Sequence, residues 1–137
     1  MTFATRLLTS RPVWDRAGLT ASTLCVAHCV ATPFVAAVLP IIAAMEGATH
    51  AVLALAVLSF SLLAFVPGFR KHRRSPVLGL GSAGVALIWL PVVLPESMSS
   101  ESLETIATVS GGIAMVVAHL VNLYFCRTCR VCAESAC

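Results

Sequence analysis

The sequence predicts an all-α integral membrane protein: an antiparallel four-transmembrane-helix bundle with both termini cytoplasmic. Three observations carry this expectation. Of the 137 residues, 58% are hydrophobic and only 11% are charged, a balance from which no water-facing surface can be assembled. Four apolar runs, at about 17–44, 51–69, 77–94 and 105–125, have the length needed to cross a bilayer as helices. The nine Lys and Arg residues sit in the N-terminal segment, the middle connection and the C-terminal tail. By the positive-inside rule those three segments are cytoplasmic and the other two connections face outward. The length allows one domain, residues 1–137, with short connections and no room for a soluble module.

The first run follows Arg6, Arg11 and Arg16. A cleaved signal peptide also begins with basic residues, but its apolar region spans only about 7–15 residues, and this run is nearly twice that. Pro33 and Pro40 lie inside the run and are able to kink or break it. The connection "MEGATH" then leads to the second run and carries Glu46 but no Lys or Arg. After the second run comes "RKHRR", Arg70 to Arg74. Between two spans such a cluster anchors topology and meets anionic lipid headgroups, and it is no sign of nucleic-acid binding.

The third run contains "GLGSAG", with Gly79, Gly81 and Gly84 in dinucleotide-turn spacing. That motif needs a preceding strand and a water-accessible crevice. At the start of a membrane span, small residues instead let helix backbones approach closely. The connection "PESMSSESLE" has Glu96, Glu101 and Glu104 and no basic residue. No phosphate-binding loop of the G-x-x-x-x-G-K type occurs, so nothing points to coupling with nucleotide hydrolysis or to an enzyme.

Two of the four runs carry chemistry. On a helix, residues three and four apart share a face, and in "LCVAHCVATP" this places Cys25, His28 and Cys29 on one turn, with Ser22 and Thr32 extending the stripe. Pro33 removes the hydrogen bond to the Cys29 carbonyl beside the thiols. Cβ atoms four apart are about 5–6 Å from each other, too far for the roughly 3.5–4.5 Å of a disulfide. The pair is better suited to holding one soft cation, since thiolates select soft thiophilic metals. His28 is placed to accept a thiol proton or to act as a third ligand.

The fourth run carries Thr108, Gly112, Met115, His119, Asn122, Cys126 and Cys129 in alternating steps of four and three, the seam of a helix facing a partner. Counting about 1.5 Å per residue from the ends of the apolar runs puts His28 and His119 at similar depth, so a shared chamber is geometrically allowed. The tail "CRTCRVCAESAC", residues 126–137, holds Cys126, Cys129, Cys132 and Cys137 beside Arg127 and Arg130. Cytoplasmic thiols stay reduced, and neighbouring cations favour the thiolate, which describes a metal-capturing tail. Lipidation of juxtamembrane cysteines is the rival explanation. The candidate metal ligands are therefore Cys25, His28, Cys29, His119, Cys126, Cys129 and Cys132.

This arrangement resembles the MerC family of inner-membrane mercury transporters. "DRAGLTASTLCVAHCVATP" and "HLVNLYFC" look especially similar to MerC-domain proteins of bacterial genomes. The pair here is separated by three residues including His28, where the best-known members use two residues and no histidine. The resemblance implies uptake of Hg(II), or another soft metal, across the bacterial inner membrane. It makes Cys25 and Cys29 the essential ligands, with cytosolic thiols or a mercuric reductase as receivers and no permanent cofactor. Partners are then the lipid bilayer and the metal, with no nucleic acid. Two alternatives remain open on the residues: a membrane thiol–disulfide oxidoreductase using Cys126 and Cys129, and a haem protein with His28 and His119 as axial ligands.

Overall fold

A computed structural model of the chain describes residues 11–94 and 100–128, and those residues contain four helices and no strand. These are α1 (Arg11–Val38), α2 (Pro40–His72), α3 (Ser75–Val93) and α4 (Glu101–Thr128). Each contains a stretch long and apolar enough to cross a membrane: Val13–Val35, Gly47–His72, Ser75–Val93 and Ser102–Cys126.

The boundaries of the first two helices differ from the sequence expectation. The first was expected to end near Ala44, followed by "MEGATH" as a loop. Instead α1 runs on through Pro33 and stops at Val38, and Pro40 opens α2. Proline ends one helix because it lacks an N–H and crowds the preceding turn, and it starts the next because its φ is already helical. Leu39, at φ −129°, is the single residue between them. "MEGATH" contains no comparable breaker, and it lies within α2. At the other end α1 begins by Arg11 rather than at Ala17, which brings Asp15 into the helix.

The "RKHRR" cluster splits between two helices. Arg70, Lys71 and His72 form the last turn of α2, where positive charge complements the helix dipole. Arg73 takes the left-handed conformation at φ 48°, and its N–H closes onto the Phe69 carbonyl. Arg74 then leads into α3, and its guanidinium lies 5.0 Å from the Phe125 ring centroid.

Helices α1 and α2 form one closely packed hairpin and α3 and α4 another, with α1 also packed along α4. The α1–α4 interface is antiparallel. Asp15 meets Asn122, Gly18 meets His119, and Val26 meets Gly112. Glycines set several of the close approaches. A Cβ on Gly84 would come within 3.0 Å of the Gly111 carbonyl, and one on Gly111 within 2.8 Å of the Gly84 carbonyl. Gly81 faces the Phe65 ring, whereas Gly79 has open space around it. The "GLGSAG" stretch thus packs helices at two of its three glycines.

The bundle is apolar outside and partly polar inside. Phe34, Val38, Ile41, Val52 and Ile106 are exposed, while Asp15, Ser22, Thr32, Ser61, Thr108, His119 and Asn122 are buried. Lipid offers polar groups no partner, so they turn inward and apolar side chains cover the exterior. This is a multi-pass membrane protein.

Candidate functional site

The interior stripe of α1 reads Asp15, Gly18, Ser22, Cys25, Cys29 and Thr32, and all six residues are buried. Such spacing follows the i, i+3, i+4, i+7 rule for one helix face. Cys25 is fully buried and Cys29 is 8% exposed. Their side chains are interacting neighbours, and both carry thiols rather than a disulfide. Continuing the α1–α4 register places this pair level with Gly112 and Thr108. Gly112 admits the Val26 side chain and brings the α1 backbone close to α4.

His28 faces Thr32, one turn further along α1. It is only half-buried, and its imidazole nitrogens lie 3.4 and 3.5 Å from the Thr32 hydroxyl. That hydroxyl donates to the His28 carbonyl at 2.8 Å. Among the described residues, no three His, Cys, Asp or Glu side chains converge as a ready cage for a metal. Of the expected ligands, the structure brings Cys25 and Cys29 into contact with each other.

Deeper toward the basic end lies a second polar cluster, which joins α1, α2 and α4. The Arg74 backbone N–H donates to His72 Nδ1 at 3.0 Å, which leaves His72 Nε2–H to donate to Asn122 Oδ1 at 2.9 Å. The Asn122 amide nitrogen donates to both Asp15 carboxylate oxygens at 3.0 Å. His119 Nδ1 lies 3.1 Å from Asp15 Oδ1. The imidazole of His119 is sandwiched, with Phe65 stacked at 4.6 Å between centroids on one side and Gly18 against it on another. A side chain at Gly18 would occupy the space of that ring. Likewise a Cβ at Gly68 would collide with the Asn122 amide.

The two histidines do not share a chamber. His119 packs beside Gly18, ten positions before His28 on α1, an axial offset of about 15 Å. The depth expectation fails because it counted from the edge of the apolar run near Leu19. The helix starts at least two turns earlier and slides His119 toward Asp15. One haem iron cannot be bound by both imidazoles at that separation.

Of the fourth-helix stripe, Thr108, Gly112, Met115, His119 and Asn122 are buried, and Cys126 is half-buried. Lys71 Nζ donates to the Cys126 carbonyl at 2.6 Å, tying the end of α2 to the end of α4. Cys129, Cys132 and Cys137 lie outside the described residues. Sequence reasoning passed over Asp15 and His72. A signal existed for Asp15: it is an acid on an otherwise basic flank, seven residues before Ser22 and so on the same helix face.

A family model described as MerC mercury resistance protein matches residues 15–124. Comparison with curated proteins and with solved structures found no match.

Proposed function

The chain belongs to the MerC mercury resistance protein family, and from that premise we propose that it carries mercuric ion, or another soft thiophilic metal, across the bacterial inner membrane into the cytoplasm. The observation that supports this reading most is the buried Cys25–Cys29 pair on the interior face of α1. Two sulfur donors one helical turn apart, out of contact with water, suit a soft ion that accepts few ligands. They suit Mg²⁺ or Ca²⁺ poorly, since those ions demand many oxygens. The metal exchanges onto the pair from the outward side as the thiols lose their protons. It leaves toward Cys126, Cys129 and Cys132, and then to cytosolic thiols or a mercuric reductase. The metal is cargo, and the protein needs no resident cofactor and catalyses no covalent transformation.

The charge pattern supports an inward-facing basic end. The start of α1, the α2–α3 turn and the end of α4 meet there through the Asp15–Asn122, His72–Asn122 and Lys71–Cys126 contacts. The test is uptake of radiolabelled mercuric chloride by cells expressing the wild type, Cys25→Ala or Cys29→Ala. The reading expects both variants to fall to the level of cells lacking the protein. Wild-type uptake by both would remove the thiol pair from the mechanism.

A further inference from the structure

The seam between α2 and α3 is loosely closed. Helix α3 packs far more closely on α4 than on α2, and along the α2–α3 seam runs a groove of about 270 Å³. The buried residues Ser61, Phe65 and Gly81 form its floor, and the exposed side chains Leu62, Val66 and Leu78 form its rims. The floor is tight: a Cβ on Gly81 would stand 2.5 Å from the Phe65 ring, and that ring also stacks on His119. Both hydroxyls that line the groove turn back onto their own helices. Ser61 donates to the Val57 carbonyl and Ser82 to the Gly79 carbonyl, so the lining side chains present hydrocarbon with no unmet donor. Within a bilayer an acyl chain lying in such a seam touches protein on both sides and below, which gains dispersion contacts.

One end of the groove points at charge. On α2 its lining starts at Val66, four residues before Arg70, and on α3 at Leu78, four residues after Arg74. It ends at Leu58 and Ala86, each twelve residues from the same two arginines. The groove thus begins about 6 Å below the basic turn and runs for about 12 Å along the helices. Leu62, Val66 and Arg70 follow at intervals of four, so Arg70 continues the α2 rim on one helix face. Two cations of the turn are engaged within the bundle: Lys71 Nζ donates to the Cys126 carbonyl, and the Arg74 guanidinium lies over the Phe125 ring. Arg70 and Arg73 are exposed, and among the described residues neither pairs with a carboxylate.

We propose that the α2–α3 groove and its turn form a binding site for one anionic phospholipid of the cytoplasmic leaflet, with an acyl chain along Phe65 and Gly81 and the headgroup phosphate on Arg70 and Arg73. The chain of such a lipid runs from its headgroup into the membrane, the direction in which the groove leaves the turn. The arginine fork matches phosphate oxygens in a bidentate way, and basic pockets between membrane helices on the cytoplasmic side suit anionic headgroups. Charge decides among the occupants. A lipid without net charge would fill the groove and leave both arginines unpaired. A second copy of this chain, inserted with the same orientation, would set its own basic turn against this one at the same depth. The site does not depend on the metal carried.

The experiment counts lipids retained by the purified full chain in detergent, by native mass spectrometry, over a concentration series of phosphatidylglycerol or of phosphatidylcholine with identical acyl chains. Wild type is expected to retain one phosphatidylglycerol at concentrations where phosphatidylcholine is lost. Arg70→Gln/Arg73→Asn weakens that retention roughly 30-fold, the combined effect of two cations near a membrane surface; Asn suits the left-handed backbone at position 73. Ser82→Phe keeps every charge but fills the groove, and it also loses the lipid. Arg16→Gln removes a charge from α1, whose described residues do not line the groove, and it retains phosphatidylglycerol as wild type does. All four substituted positions are exposed. The proposal is overturned if the two lipids are retained equally, or if either groove variant holds phosphatidylglycerol as tightly as wild type. It is equally overturned if Arg16→Gln loses the lipid, or if the chain appears as a lipid-free dimer.

Discussion

At the scale of single residues, the cluster at the basic end depends on glycines that make room for polar side chains. Asn122 reaches both Asp15 and His72 only because Gly68 has no side chain in its path. Gly68→Ala is expected to push the amide aside and to lower stability by about 1–3 kcal/mol, the usual cost of overpacking, measured by unfolding of purified protein in detergent. The thiol pair and the interior position of His119 were legible in the sequence, because three- and four-residue spacing assigns helix faces without knowledge of partners. Asp15 was legible only by extending the α1 stripe two turns beyond Ser22, because it sits outside the apolar run and looks like part of a flank. His72 was hidden inside a basic cluster that topology alone explained. What joins these groups is the α1–α4 register, and spacing within one helix carries no information about register between two.

At the scale of elements, the membrane-crossing lengths were legible from hydropathy but the helix ends were set by local backbone chemistry. Composition marked "MEGATH" as a connection, whereas the restricted φ and missing N–H of Pro40 put the break at Leu39. Helix packing follows the glycines unequally. Gly84 and Gly111 bring the α3 and α4 backbones together, while nothing lies within 4 Å of a Cβ on Gly79. Gly84→Leu and Gly111→Leu should each destabilise the bundle by at least about 1–3 kcal/mol. Gly79→Leu, on the same helix as Gly84, should leave the unfolding midpoint at or above wild type. Equal losses at all three positions would contradict the packing described for α3 and α4.

For the whole molecule, the apolar exterior and partly polar interior fit a bilayer, and the distribution of charge predicts an orientation that can be tested. The basic turn at Ser75 is expected in the cytoplasm, and the acidic connection at Ser100 on the outer face. Both residues are exposed. Ser100→Cys should therefore react with a membrane-impermeant thiol reagent in intact cells, and Ser75→Cys only after permeabilisation. The reverse pattern would invert the direction of transport. The most direct test of the account is the amount of mercuric ion bound by the purified full chain, compared between wild type and Cys25→Ala/Cys29→Ala. The buried two-thiol site predicts that wild type binds one more ion than the double variant, whose cytoplasmic cysteines are intact. Equal stoichiometry in the two proteins would contradict it.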